Sequence, residues 1–500
     1  MTILSVLREH DGAAPAVRIG DRVIDYARLL ADMDALSAHL RDCGLEAGAR
    51  VSLHPDQPGS PTYGDWLLHL AALQAGLVHS STVKTGDPRI RKAFGMREAA
   101  IGSTQAKMPD GPARKIRIDF SGDAPLADLL KPESAPPEAG DEAQAKRLLS
   151  TSGTTGTPKI VEWDAAMIAA RVAQVREEGH VSGDTKLMPL LGFPTTAGYR
   201  YPLAVWQAGG CVTLFARGQH VFSSNNPAMA ETDTLISSPY RLKQALEREQ
   251  GEWPGREART VHLFGGRVDP DLLKQAKARV GAVCQTHYGS TETGSVASGD
   301  LDMIERHAGA VGRPGRNVEL RIVDGKGQER APGQTGIVEI RTPVMIAGYA
   351  TGEGGGSFRD GWFRPGDLGV LLEDGTLAIE GRTSETINVG GLKLSPVAIE
   401  QRLAQIKALR DVALVAVPVA GMERLVIAYV SDRPLNGPKL RAVARRALQS
   451  PVPFTLVRVR QIPRNQAGKI ERVKLGRGLL AAYRQRMQNS VAKKREMAGG

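Results

Sequence analysis

The sequence predicts an α/β protein: a large N-terminal domain of α/β layers with a β-rich subregion, followed by a small α+β C-terminal domain. Three observations carry this. From about residue 150, short apolar strands alternate with helical patterns. Past Arg382 the texture changes to a compact alternation about 100 residues long. The 500 residues also exceed what one ordinary core supports. The division is placed at 1–383 and 384–500.

Val17 to Ile24 reads as a hairpin turning at Gly20-Asp21. Leu29, Leu30, Met33, Leu36 and Leu40 then recur at helical spacing, with Gly44 placed as a C-terminal cap. A second helix runs from near Asp65 to Gly76, and residues 103–145, rich in Pro, Asp and Lys, read as irregular. Asp269-Pro270 marks a helix start, with Asp as N-cap and Pro at the first helical position. Val370 to Ile379 is a hairpin whose Asp374-Gly375 turn needs positive φ. Ser395-Pro396 opens a helix bearing Ile399, Leu403 and Ile406. Val412–Val417 and Leu425–Val430 pair around Gly421, and 436–449 is a basic helix.

Composition narrows the function classes. With 41% hydrophobic and 24% charged residues, the balance is that of a globular protein. No apolar run of about 18 residues predicts a membrane span. The first eight residues lack a basic segment followed by a long apolar core, so no secretory signal is expected. Cys43, Cys211 and Cys284 form neither a disulfide framework nor a metal pattern, and a cytoplasmic location is expected. The net charge of +11 is uneven: residues 433–500 carry a net +15, leaving −4 on the first 432. That end reads either as a solvated face with a frayed tail or as an attractor of a polyanion: a nucleotide, a coenzyme or an acidic carrier protein. No aromatic interleaving or nucleic-acid motif accompanies it, so no nucleic-acid partner is expected.

The densest chemistry lies in Ser150-Thr151-Ser152-Gly153-Thr154-Thr155-Gly156-Thr157-Pro158-Lys159. Six hydroxyls, two glycines and a lysine fall within ten residues, bracketed by Leu148-Leu149 and Ile160-Val161. Glycines let backbone N–H groups approach an anion, hydroxyls donate to phosphate oxygens, and a lysine adds a point charge. GxxxxGK[ST] is absent, so this is not a Walker loop.

This run resembles the phosphate loop of the adenylate-forming superfamily: acyl-CoA synthetases, carrier-protein-loading adenylation domains and luciferases. Ile160 replaces the usual glycine after the lysine. Further stretches follow in family order. Tyr288-Gly289-Ser290-Thr291-Glu292-Thr293-Gly294 resembles the second signature, and His287 just before it is a further candidate for nucleotide binding. The resemblance places Tyr288 against adenine, Thr291 on the α-phosphate and Glu292 on Mg²⁺. Phe264-Gly265-Gly266-Arg267 resembles, weakly, the strand end beside adenine. Gly361-Trp362-Phe363-Arg364-Pro365-Gly366-Asp367-Leu368-Gly369 resembles the third, with Pro365 where Thr is commoner. Asp367 is then expected on the ribose hydroxyls. Glu380-Gly381-Arg382 resembles the fourth, with Arg382 on ribose or phosphate. Ile462 to Ile470 resembles the C-terminal lysine loop, which makes Lys469 the cation bridging the substrate carboxylate and the α-phosphate. Tyr26 to Val51 resembles the family's opening helix and strand, so the likeness covers nearly the whole chain.

The resemblance implies ATP-dependent activation of a carboxylic acid to an acyl-adenylate, with pyrophosphate release and then transfer to a thiol. The cofactors are ATP, Mg²⁺ and coenzyme A, or the phosphopantetheine of a carrier protein. The small domain is expected to be a mobile lid hinged at Ser384, where the family more often has Asp or Lys. Its rotation would present Gly390 and Gly391 to a pantetheine arm. The family's aromatic-His stretch reads Pro189 to Gly198 here without the His, and Pro194 stands where amino-acid-activating members carry Asp. An α-amino acid substrate is therefore disfavoured. Tyr199, Arg200, Tyr201, Ser237 to Tyr240 and Val296 are candidate lining residues, although Arg200 is read first as facing solvent. A nucleotide-binding regulator without catalysis is the reading from another class. The missing His and unusual hinge favour it, while Glu292, Asp367, Arg382 and Lys469 oppose it.

Overall fold

The computed structural model describes residues 3–482 except 57–60, 82–93, 96–97, 109–111, 113, 123, 139–140, 152–158, 179, 194, 215–229, 249–258, 267, 308, 352–355, 384–386, 390–391, 395, 420–421, 436, 449–452 and 465–469. The chain forms two compact units. The first comprises 1–320, 339–365 and 374–377; the second comprises 321–338, 366–373 and 378–500.

The first unit opens with the expected hairpin, β1 (Pro15–Ile19) and β2 (Arg22–Asp25), turned at Gly20 with φ +58°. Helix α1 (Tyr26–Asp42) is capped by Asp25, whose side chain accepts from Arg28 N. Gly44 follows it at φ +73°, where a side chain would be strained. Strand β3 (Arg50–His54) leads to α2 (Tyr63–Gln74), which starts with a Thr62/Asp65 capping box. Asp32 ties these pieces together. Its buried carboxylate accepts from Arg28 Nε at 2.7 Å, Tyr63 Oη at 3.0 Å and Leu126 N at 2.8 Å.

Strands β4 (Val78–Ser80), β5 (Ala99–Ser103), β6 (Arg114–Ile118), β7 (Lys146–Thr151) and β8 (Lys159–Asp164) complete a sheet in the order β6-β5-β3-β4-β7-β8. Only the β7–β8 pair is antiparallel. The segment expected to be irregular therefore contains β6 and the short helix α3 (Leu126–Leu130). In Arg114-Lys115-Ile116-Arg117-Ile118 only Ile116 and Ile118 are buried, so the cations conceal the strand's alternation.

A second sheet holds the centre of the candidate site. Helices α4 (Ala165–Glu177) and α5 (Thr196–Ala208) flank β9 (Lys186–Pro189), before β10 (Cys211–Thr213) and β11 (Thr234–Ser237). Helix α6 (Pro239–Arg248), β12 (Arg259–Phe264), α7 (Pro270–Val280), β13 (Ala282–Ser290), β14 (Gly294–Gly299), α8 (Leu301–Arg306) and β15 (Ala310–Pro314) follow. As the sequence predicts, Asp269 caps α7. The strands run β15-β14-β13-β12-β11-β9-β10-β1-β2, parallel from β13 to β1. Trp66, Phe193, Tyr199 and Trp206 fill the core beneath, with Trp66 against the other three rings at 4.8–5.8 Å. Each such aromatic buries about 150–250 Å² of surface, more than an aliphatic side chain does.

Strands β16 (Glu319–Val323) and β17 (Gly336–Arg341) lie where the chain passes between units. In the first unit, β18 (Phe358–Arg359) and β19 (Trp362–Phe363) pair beside Ile340 of β17. In the second unit, β20 (Asp367–Leu371) pairs with Gly336 and Ile337 of β17 and neighbours β21 (Leu377–Arg382). Gly375 takes φ +80° in the turn before β21, as the hairpin requires. A hairpin of β22 (Ile387–Val389) and β23 (Leu392–Leu394) precedes α9 (Pro396–Ala404). Strands β24 (Asp411–Val419), β25 (Met422–Val430) and β26 (Phe454–Arg458) form one sheet, with α10 (Gly437–Leu448) between the last two. Ile399, Leu403, Leu414, Leu425, Ala444 and Phe454 form its core, which matches the α+β unit read from the sequence. No described helix is long and apolar enough to cross a membrane.

Candidate functional site

The predicted phosphate loop begins on β7 and ends on β8. Thr151 and Lys159 are register partners across that hairpin. Ser152, Gly153, Thr154, Thr155 and Gly156 lie outside the described residues, as do Ser384, Gly390, Gly391 and Lys469. The stem of the lysine loop is described. Arg464 bridges Ile470, Glu471 N donates to Pro463 O at 2.8 Å, and Arg464 pairs with Asp411 at 2.7 Å.

The second signature forms the β13–β14 hairpin. The register slips between Tyr288 and Gly289, a bulge of the kind that re-aims side chains. Ser290 Oγ accepts from the N–H groups of Glu292 and Thr293, both at 3.2 Å. Thr342 Oγ1 donates to Thr293 O at 2.8 Å. Gly294 closes the turn at φ +76°. A methyl group on Gly289 would overlap Gly294 O, so this position needs a bare backbone.

Arg171 of α4 fixes the turn from below. Its Nη1 donates to Thr291 O and its Nη2 to Glu292 O, both at 2.9 Å; Nε and Nη2 also reach Val344 O at 3.1 and 2.8 Å. The guanidinium carbon lies 4.3 Å from the Trp163 ring centre. Burial, with Arg200 second, lowers its pKa to about 9, while Glu292 acts the other way; the group stays charged at neutral pH. A buried cation is tolerated when its donors are satisfied, and four carbonyl contacts do so here.

Glu292 is 8% exposed. The Tyr349 hydroxyl donates to its Oε1 at 2.9 Å. Burial and the neighbouring carboxylate push the Tyr349 hydroxyl pKa upward, which keeps it a donor. Lys159 Nζ stands 4.7 Å from the Tyr349 ring centre, and Ala350 N donates to Ile160 O at 2.8 Å. The start of β8 and the Glu292 turn therefore share Tyr349 as a common neighbour. A buried carboxylate held by a neutral donor supplies a hard oxygen ligand, which fits Mg²⁺ by donor type.

Gly265, at φ +77°, and Gly266 follow the end of β12, and a side chain on Gly265 would meet nothing within 4 Å. The adjoining strands carry a cluster that was not expected. His262 and His287 are 1% and 7% exposed, and His262 Nδ1 lies 3.0 Å from His287 Nε2. His180 joins them from beyond α4. Arg200, read first as solvent-facing, is 2% exposed. Its Nη1 donates to Gln174 Oε1 at 3.2 Å, while its Nε is buried without a partner. Tyr199 packs in the aromatic core with the Arg147 guanidinium carbon 3.4 Å from its ring centre.

In the second unit, Arg382 Nε pairs with Asp367 Oδ1 at 3.0 Å. Asp367 is buried, whereas the Arg382 side chain is 41% exposed. Thr383 N donates to Gly366 O at 2.8 Å, and Gly366 has φ +82°. Two separately predicted residues are thus direct partners. Arg171 and Tyr349 were missed, although Arg171 falls on the stripe of Ile168, Val172 and Val175 that α4 buries.

The fatty acid–[acyl-carrier-protein] ligase MmaC of Mycobacterium marinum is 28% identical, over 91% of this chain and 92% of its own. The indoleacetate–CoA ligase of Aromatoleum aromaticum is 24% identical over 94% and 97%. The o-succinylbenzoate CoA synthetase MenE of Bacillus subtilis, solved with its acyl-adenylate intermediate, superposes with a TM-score of 0.79 at 19% identity, covering 95% and 97%. The model of the AMP-binding enzyme family matches residues 7–350, and this chain belongs to that family.

Proposed function

We propose that the protein is an AMP-forming acid–thiol ligase. It converts a carboxylic acid and ATP to an acyl-adenylate with release of pyrophosphate, then passes the acyl group to the thiol of coenzyme A. The observation that carries this reading is the Glu292 turn, held by Arg171 and Tyr349 with Lys159 alongside. That arrangement supplies a fixed carboxylate and a cation where a triphosphate's charge must be managed.

Carboxylates are poor electrophiles, and attack on the ATP α-phosphorus turns one into a mixed anhydride. Enzymatic phosphoryl chemistry of this kind is mostly positioning and electrostatics. In this reading the hydroxyls and N–H groups of 151–156, with Lys159, hold the departing phosphates. Thr291 donates to the α-phosphate, Tyr288 flanks adenine with Gly265, Gly266, His287, Gly289 and Ser290 nearby, and Asp367 accepts from ribose beside Arg382. Lys469 offsets the repulsion between the two reacting anions, a role in which losing one group typically costs about 10²–10³-fold in rate. Bound at Glu292, Mg²⁺ would neutralise phosphate charge. In this reading the residues from Ser384 onward are the family's mobile small domain, and Gly390 and Gly391, which carry no side chain, are the positions a pantetheine arm would pass.

Loading of an acyl carrier protein is the second reading. It is favoured by the carrier-protein ligase among the relatives and by the net +15 on residues 433–500. Carboxylate-dependent ATP–pyrophosphate exchange tests the first half-reaction, and absence of exchange across aryl, short-chain and long-chain acids refutes it. Loss of exchange in Lys469→Ala assigns the lysine. A side-by-side acceptor assay with coenzyme A and carrier protein decides the thiol.

A further inference from the structure

His180, His262 and His287 come from three separate parts of the first unit. Each offers a ring nitrogen within 4.8 Å of the other two. Their ring centres lie 4.7–5.2 Å apart. Strands β12 and β13 are parallel neighbours, with Phe264 opposite His287 in register. Alternation puts His262 and Phe264 on one face of β12, and Phe264 stacks on His287 at 4.5 Å. Tyr201 packs against both, 5.4 Å from His262 and 5.3 Å from Phe264.

Buried ring nitrogens usually have a hydrogen-bond partner. Here His262 Nδ1 and His287 Nε2 share one hydrogen bond, and the other ring nitrogen of His287, Nδ1, is buried without a partner. Glu178 Oε2 lies 3.1 Å from His180 Nε2, the outer carboxylate that metal-binding imidazoles commonly carry. The separation of 3.0 Å between His262 Nδ1 and His287 Nε2 is close to the roughly 3.3 Å between two donors on a tetrahedral ion with bonds of about 2.0–2.1 Å.

We propose that His180, His262 and His287 form a binding site for one divalent transition-metal ion, Zn²⁺ by donor type, with Glu178 as the outer partner of His180. Imidazole suits Zn²⁺, Cu²⁺, Ni²⁺ and Fe²⁺ and not Mg²⁺, so this site is chemically separate from the carboxylate at Glu292. Three protein donors leave a fourth position open. The buried Arg200 cation near His287 opposes a dication, and Glu178 partly offsets it. That balance favours an anionic fourth ligand, a hydroxide or a carboxylate oxygen. His287 immediately precedes Tyr288, so an ion here would sit at the base of the nucleotide-facing hairpin.

The test uses untagged full-length protein stripped of metal, without ATP or acid, so its outcome is independent of the ligase reading. Zn²⁺ is titrated calorimetrically, and Co²⁺ is followed by its visible ligand-field absorption. One equivalent of Zn²⁺ and a tetrahedral Co²⁺ spectrum are expected. His180→Gln and His262→Gln should each weaken Zn²⁺ binding by more than about tenfold, and Glu178→Gln by about 10–100-fold, the range for outer partners. Absence of stoichiometric binding by the wild-type protein overturns the proposal, as does binding unchanged in both histidine variants. Should a variant not fold, the wild-type Co²⁺ spectrum decides, since three imidazoles and an oxygen absorb unlike a cysteine-bound ion.

Discussion

The Tyr349 hydroxyl donates to Glu292 Oε1 at 2.9 Å while Lys159 Nζ stands 4.7 Å from the same ring centre. Tyr349 therefore sets where one carboxylate oxygen points. Tyr349→Phe keeps the ring and removes the donor, a hydrogen bond to a charged group of about 1.5–3 kcal/mol. The expected result is roughly a tenfold fall in ATP–pyrophosphate exchange with an altered Mg²⁺ requirement. An exchange rate and Mg²⁺ titration matching the wild type would remove Tyr349 from the site.

Arg171→Met should destabilise the fold by about 3 kcal/mol or more, because buried carbonyls of Thr291, Glu292 and Val344 lose their donor. Arg171→Lys restores the charge without the planar fork and should recover only part of the loss. Urea unfolding of both variants measures the difference. Equal stability of Met, Lys and wild type would show that the turn holds without the arginine.

Gly289→Ala forces a methyl group against Gly294 O and should open the β13–β14 bulge. The expected signature is lower thermal stability together with a raised KM for ATP, since the hairpin carries both Tyr288 and Glu292. A variant with wild-type melting and wild-type KM would contradict the overlap.

Asp367→Ala should raise the KM for ATP by about tenfold, the scale of one charged hydrogen bond. The wild type should discriminate against 2′-deoxy-ATP, and the variant should lose that discrimination. Arg382→Ala, at a side chain 41% exposed, should cost less. Persistent discrimination in Asp367→Ala would move the ribose contact elsewhere.

Two buried histidines outside the site predict the acid response. Burial, helped by Arg147, holds His79 down to about 3, and burial holds His54 down to about 4, both from 6.5. The unfolded chain takes up protons at both as pH falls below 6.5, and the folded chain does not. Stability contributed by these neutral rings is therefore present above pH 6.5 and declines toward pH 3–4. Each ring adds a slope of at most about 1.4 kcal/mol per pH unit in that window. The unfolding midpoint should fall below pH 6.5, and His79→Asn should flatten the fall. A slope unchanged by that substitution would assign acid sensitivity to other groups.

Elements with a clean period were legible in the sequence. The α1 stripe of Leu29, Met33, Leu36 and Leu40, the Asp269-Pro270 start of α7 and the β24–β25 pair stand where periodicity and capping chemistry place them. Strand β6 was not legible, because Arg114, Lys115 and Arg117 surround its two buried isoleucines. The signature stretches could be read from the sequence because their spacing is local. The histidine cluster was not, because positions 180, 262 and 287 meet only after β12 and β13 align. Arg171 shows a signal that was present but unused: an arginine on a helix face otherwise made of Ile168, Val172 and Val175 must find buried acceptors.

The pairing of Thr151 with Lys159 has one more implication. Seven residues join two positions whose separation is set by a ladder of the surrounding sheet. On the proposed reading, replacing hydroxyls within that stretch changes what an incoming anion meets, while the ladder still sets the backbone register of Lys159. If the stretch binds polyphosphate as proposed, its affinity and the backbone position of Lys159 can drift independently during evolution.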